Sequence, residues 1–98
     1  RLRYLTPAGT MALHHNQAPA DEDPSLTPWF EYQPLQFTNN AMRIVFGHWS
    51  TLPVGQYGQV YAIDGGCLWG AELVALQIDE NSAAWFHQSC PQTQKPRL

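Results

Sequence analysis

Two apolar runs, Ile44-Val45-Phe46 and Val60-Tyr61-Ala62-Ile63, are each cut off by glycine and then by side chains with chemistry to offer. The first ends in Gly47-His48-Trp49 and the second in Asp64-Gly65-Gly66-Cys67. Short β-branched and aromatic runs bounded by such breakers favour strands, because branched side chains pack well on a pleated surface. Glycine at a strand end lets the backbone turn sharply or approach a bound group closely. The stretch from Arg43 to Leu76 therefore directs the chain toward a β-rich fold with its chemistry at strand ends.

The remaining elements fall around that stretch. Leu2 to Leu5 alternates, meets turn chemistry at Pro7-Ala8-Gly9-Thr10 and continues into Met11-Ala12-Leu13, which predicts a β-hairpin. Residues 14–28 carry Pro19, Pro24 and the acidic run Asp21-Glu22-Asp23 without apolar periodicity, so they read as an exposed loop. Thr27-Pro28-Trp29-Phe30 fits one helical turn, with Thr27 as cap and Pro28 in its first position. Leu35 to Ala41 reads either as a short helix or as an irregular connection with Leu35 and Phe37 inward. Met42 to Phe46 is expected to be a buried strand, His48 to Gly58 a loop, and Gln59 to Ile63 and Glu72 to Ile78 strands. Ala83 to His87 is a last strand, and residues 88–98, with Pro91 and Pro96, read as a loose tail.

Ninety-eight residues suffice for one small domain. The charged fraction of 13% is about half the usual share, and four Trp are many for this length, so part of the surface is expected to be covered. Five Lys and Arg are scattered, the net charge is −3, and no basic stripe exists for a nucleic-acid polymer. Neither a long apolar span nor a signal-like start is present, which predicts no membrane role. Cys67 and Cys90 are too few for a disulfide framework and are expected to be reduced thiols in the cytoplasm.

Several residues carry two readings. A lone histidine such as His48 beside a tryptophan is usually structural. Trp49, Tyr57 and Trp69 could stack on a base, since every base has a π face, or could simply be core aromatics. Arg1 and Arg3 could grip a phosphate or stand exposed on a hairpin. Asp64 at a strand exit is expected to bond backbone N–H groups and shape a turn. Gly47 ends the first run, and Gly66 and Gly70 are expected to supply positive φ or close packing. His14, His15 and His87 have no ligand spacing around them, and nothing near Cys67 in sequence would activate a thiolate.

These motifs together resemble the C-terminal part of the symmetrical diadenosine tetraphosphatases, a bacterial branch of the calcineurin-like metallophosphatases. That segment reads roughly I-x-F-G-H-W-A-S-L, a variable loop, then Y-A-L-D-T-G-C-x-W-G-G-x-L. Here the matching residues are Ile44, Phe46, Gly47, His48, Trp49 and Leu52, then Tyr61, Ala62, Ile63, Asp64, Gly66, Cys67, Trp69, Gly70 and Leu73. Upstream, Arg1-Leu2-Arg3-Tyr4, Pro7-Ala8-Gly9-Thr10 and Leu26-Thr27-Pro28-Trp29-Phe30 follow the same pattern. Gly65 stands where the family usually has Thr, Leu68 where it often has Cys or Val, Ala71 where it has Gly, and Glu72 is unusual. The family's D-x-H, G-D-x-x-D and G-N-H-D signatures do not occur in these residues.

The resemblance implies an α+β fold: the mostly β, C-terminal part of a four-layer αββα sandwich, with residues 1–98 forming one segment of a single domain. It implies hydrolysis of diadenosine tetraphosphate into two ADP by water at a pair of divalent ions, manganese or cobalt, with His48 as one metal ligand. Trp49 and Arg1 would then touch substrate. Most ligands would come from an N-terminal remainder, so the chain alone is expected to be inactive. The competing reading is a small non-enzymatic β module that binds a partner protein through an aromatic face. An uncovered sheet edge and uncovered Trp residues would also favour self-association.

Overall fold

The computed structural model describes residues 2–32 and 42–93, and its described strands make three small sheets. β1 (Tyr4–Leu5) pairs antiparallel with β2 (Thr27–Pro28). The predicted hairpin survives as one bridge, Leu5 to Met11, with the Ala12 amide donating to the Tyr4 carbonyl at 3.0 Å. The expected helical turn is a 3-10 turn at Trp29–Glu31, and Thr27 does not cap it. Thr27 and Pro28 are instead extended against β1, and the Trp29 amide donates to the Arg3 carbonyl at 2.9 Å. Sheet pairing thus overrides the local capping signal.

β3 (Ile44–Phe46), β4 (Gly55–Tyr57) and β5 (Val60–Ala62) form the second sheet in the order β3-β5-β4. β3 runs parallel to β5, placing Phe46 beside Ala62. The expectation that β3 is buried is corrected: it is an edge strand, only one of its faces is packed, and Val45 is 39% exposed. β5, with neighbours on both sides, is buried throughout. β4 lies inside the stretch expected to be a loop. Gly58, at φ 62, makes the first residue of its two-residue turn into β5, where a positive φ favours glycine.

Side chains from these short strands meet in one aromatic core. Tyr4, Trp49, Leu52 and Ala62 are its buried members, and Trp29, Phe30, Phe46 and Tyr57 pack around them. Tyr4 and Trp49 meet edge to face at 5.1 Å, and Trp29 and Phe46 at 5.4 Å. Such pairs each add about 0.5–1.5 kcal/mol beyond area burial, which lets strands of two or three residues hold.

β6 (Glu72–Ile78) and β7 (Ala83–Ser89) form a long antiparallel hairpin at the side of that core. Residues directly opposite share a face, so Val74, Leu76 and Trp85 point one way and Leu73, Ala75, Ala84 and Phe86 the other. On the inward side Val74 is buried and Trp85 packs on Tyr61 at 6.2 Å. On the outward side Leu73 is 60% and Phe86 54% exposed. The Arg43 guanidinium donates to the carbonyls of Asp79 and Ser82, pinning the hairpin turn to the start of β3.

Two more expectations are corrected at the base of this hairpin. Cys67 and Cys90 are bridged rather than reduced, with their Cα atoms 5.2 Å apart. β6 and β7 are equally long, so the chain returns to where it left, and the Cys90 amide donates to the Ala71 carbonyl at 2.9 Å. The described part of the expected loose tail is tied down: the Thr93 amide donates to the Leu68 carbonyl at 3.2 Å, and Gln92 is bridged to Trp69. Arg1, Leu35, Phe37 and residues 94–98 lie outside the described residues.

Candidate functional site at the end of β3

His48 follows β3 after a single residue, Gly47, and is exposed, with a φ of 62. The left-handed region costs a side-chain-bearing residue roughly 1–2 kcal/mol, so something must hold it there. Three neighbours do. The Ile63 amide donates to the Phe46 carbonyl at 3.0 Å, fixing the strand end. Trp49, the next residue, is 2% exposed in the aromatic core. Arg3, from the chain segment entering β1, donates from Nη2 to the His48 carbonyl at 2.6 Å. The backbone therefore turns its histidine outward while the following tryptophan dives inward.

That burial bears on the stacking reading of Trp49. Its ring meets Tyr4 edge to face, and its indole nitrogen donates to Thr51 Oγ1 at 3.1 Å. Thr51 in turn donates to the Asn16 carbonyl at 2.7 Å, tying the loop of residues 14–28 to the site. At 2% exposure, no face of Trp49 is open to a base in this arrangement. Tyr57 is likewise engaged, packed on Phe30 at 5.0 Å and donating to the Pro53 carbonyl at 2.6 Å. Trp69 reaches the site from the other strand end: its indole nitrogen donates to Ser50 Oγ at 3.0 Å.

The turn from Asp64 to Gly70 backs onto this corner. Asp64 Oδ1 accepts from the Gly66 amide at 3.0 Å, the turn-shaping arrangement. Gly66 has φ 73 and Gly70 φ 91, conformations that a Cβ would disfavour. Gly47 has open space around it. Gly65 is tighter, since a Cβ there would lie 2.4 Å from the Glu72 carbonyl oxygen and 2.7 Å from a Val74 methyl. Glu72, another of the departures, hydrogen-bonds His87 Nδ1 through its carboxylate at 2.8 Å.

Nearby charge is modest. The His15 ring hydrogen-bonds the Glu22 carboxylate at 2.9 Å and holds its pKa below the ordinary value. Burial, reinforced by the negative charge of Glu22, pushes the Tyr4 phenol up to about 12, and its hydroxyl donates to the Gln17 carbonyl at 2.7 Å. Among the described residues no three His, Cys, Asp or Glu stand close enough to hold a metal ion. Sequence reading missed the partnership of Arg3 with His48 because 45 residues separate them and neither neighbourhood signals the other.

The fold and this corner define a β-rich segment that presents one outward histidine at a strand end beside a buried aromatic core. No family model matches the chain, and no solved structure matches it. Curated relatives do. The chain is 44% identical over 92 residues to a protein of Nitrosococcus oceani named symmetrical bis(5'-nucleosyl)-tetraphosphatase, covering 92% of the chain and 32% of that relative. Proteins of the same name from Thioalkalivibrio sulfidiphilus and Acidovorax sp. (strain JS42) are each 37% identical, over 92% and 98% of the chain and 33% and 34% of the relatives. Along this segment the chain belongs to the symmetrical bis(5'-nucleosyl)-tetraphosphatase family. It spans about a third of the length of the curated relatives it matches.

Proposed function

We propose that this chain is the C-terminal, β-rich part of a metal-dependent hydrolase that splits a dinucleoside tetraphosphate, diadenosine tetraphosphate above all, symmetrically into two nucleoside diphosphates. The observation that carries the reading is the identity of 37–44% along nearly the whole chain to relatives bearing that name. The exposed His48 at the end of β3 is consistent with it. In this reading His48 supplies an imidazole ligand, and the other ligands of two divalent ions, manganese or cobalt, come from an N-terminal remainder of a four-layer αββα domain. Bound there, such ions supply an activated water and positive charge for the phosphoryl oxygens. Arg1 remains a candidate for a substrate phosphate.

The outward face of β6 and β7 supports a longer protein. A pair of half-exposed large side chains, Leu73 and Phe86, on a flat seven-residue ladder is a surface that further chain would cover. The same face would serve the competing reading, a free-standing module that binds a partner protein or a second copy of itself. Among the described residues no helix is long and apolar enough to cross a membrane. A cytoplasmic location stays in the proposal through the nucleotide substrate alone, since the bridged cysteines withdraw the support that reduced thiols would have given.

The test is the intact mass of the protein from its native source, followed by assay of the chain alone. A native mass about three times the 11.1 kDa of this chain is expected, because the chain covers about a third of its relatives. The purified 98-residue chain is expected to release no nucleoside diphosphate with manganese or cobalt present. A native mass near 11.1 kDa would overturn the enzyme reading and favour the module.

A further inference from the structure

We infer that Arg3 is a positioning residue whose guanidinium, by bonding the His48 carbonyl, holds His48 in the left-handed conformation that turns its imidazole out of the fold. This deepens the proposed function, on which the ligand role of His48 rests. The geometry itself stands apart from that role. His48 is the non-glycine residue with positive φ among the described residues, and it lies between a strand end and a buried tryptophan. Arg3 reaches the carbonyl of the peptide that joins His48 to that tryptophan, at 2.6 Å.

The direction of the effect follows from the chain path. β3 delivers the backbone on its parallel register with β5, and Trp49 must enter the core one residue after His48. The left-handed residue between them makes that reversal in a single step. Turning it to an ordinary conformation would swing the His48 carbonyl away from Arg3 and re-aim the imidazole. The Arg3 backbone is itself fixed, because its carbonyl accepts from the Trp29 amide at 2.9 Å. The charge on the guanidinium makes this bond stronger than one between neutral groups. A lysine can supply the same charge to a single acceptor, although without the planar fork.

Isotope-labelled 98-residue chain is the material for the experiment. The backbone coupling and Cα shift of His48 report its φ directly, and cobalt(II) titration followed residue by residue reports what its imidazole can bind. Arg3→Gln is expected to move the His48 coupling out of the left-handed range and weaken the cobalt effect at residues 47–49 by about fivefold. Arg3→Lys is expected to retain most of both. Replacing His48 by glycine, which enters this region freely, should shrink the Tm loss caused by Arg3→Gln by about half. A general packing role for Arg3 would give the same Tm loss in both backgrounds.

An unmoved His48 coupling in Arg3→Gln, an Arg3→Lys variant no better than Arg3→Gln, or equal Tm losses in the two backgrounds would each overturn the inference. Should Arg3→Gln fail to fold, recovery of folding in the Arg3→Gln, His48→Gly double variant supports it and continued failure overturns it. The ligand reading fails separately: if His48→Ala leaves the cobalt effect at residues 47–49 intact, His48 is not the ligand, while the coupling still judges Arg3.

Discussion

The strands around Tyr4 and Trp49 are two or three residues long, with β1 and β5 buried, whereas β6 and β7 are seven residues long and mostly exposed. Length and burial run opposite ways because the two regions are held by different physics. In the first, interlocked aromatic rings from distant parts of the chain supply the cohesion, and backbone pairing follows. In the second, a continuous ladder, the Cys67–Cys90 bridge and the Arg43 clamp on the turn do the holding, with one buried valine beneath. His48 grows from the first region, where packing fixes the backbone on either side of it.

The sharpest way to break this comparison is to remove one ring from each region. Trp49→Ala is expected to cost about 3–5 kcal/mol of unfolding free energy by denaturant titration, whereas Phe86→Ala on the outward hairpin face should cost less than about 1 kcal/mol. Equal losses would mean that the hairpin is held by side-chain packing after all. Next in size is the bridge. Reducing Cys67–Cys90, separated by 23 residues, should lower stability by about 3 kcal/mol through release of that loop in the unfolded chain. Amide exchange should then accelerate in β6 and β7 before it does in β5. Uniform acceleration across both regions would show that the bridge supports the whole fold.

The strands that local pattern reveals are those whose own residues decide their fate. Glu72 to Ile78 is apolar enough, and bounded clearly enough by Gly70 and Asp79-Glu80-Asn81, that its limits are legible in the sequence. β4 was hidden because Gly55 and Gly58, which read as breakers, are the residues that let a tight hairpin form. β2 was hidden for the opposite reason: Thr27-Pro28 carries a strong helix-start signal, and only the distant β1 strand outvotes it. At the site, the strand end is readable from Phe46-Gly47-His48, whereas the outward turn of the histidine depends on its positive φ. The Arg3 contact, the Trp69 bond to Ser50 and the Cys67–Cys90 pairing are not readable, because each joins residues that only the finished fold brings together.

A smaller effect tests the seam between the regions, where Gly65 lies under β6. Threonine, the family's usual residue there, would place its Cβ 2.4 Å from the Glu72 carbonyl oxygen and force that strand to shift. Gly65→Thr is expected to destabilise by about 1–3 kcal/mol, and Gly65→Ala by a similar amount, since the clash begins at Cβ. If threonine is instead neutral in thermal unfolding, β6 is free to move and the hairpin is only loosely seated on the core.

The smallest effect lies in the loop that borders the aromatic core, and pH isolates it. The His15 ring, followed by the amides of Asp23 and Gln17, holds the Glu22 carboxyl below its ordinary value of 4.5. A folded-state pKa lower than the unfolded one means that the contribution is fully present above the unfolded value and is lost as pH falls through the folded one. Asp23 has the same sign, because the Ser25 amide and side chain hydrogen-bond its carboxylate. Melting temperature should therefore decline on acidification below about pH 4.5, and Glu22→Gln should flatten part of that decline while leaving neutral-pH behaviour in β6 and β7 unchanged. The His87–Glu72 pair on the hairpin has the same bond length, 2.8 Å against 2.9 Å, yet both of its side chains are more exposed than the Glu22 carboxylate. His87→Ala should consequently lower the melting temperature at neutral pH less than His15→Ala does, because solvent screens a pair in the open more than one whose carboxylate is tucked against the fold. A melting-temperature loss for His87→Ala as large as that for His15→Ala would erase the difference in burial on which the two regions were distinguished.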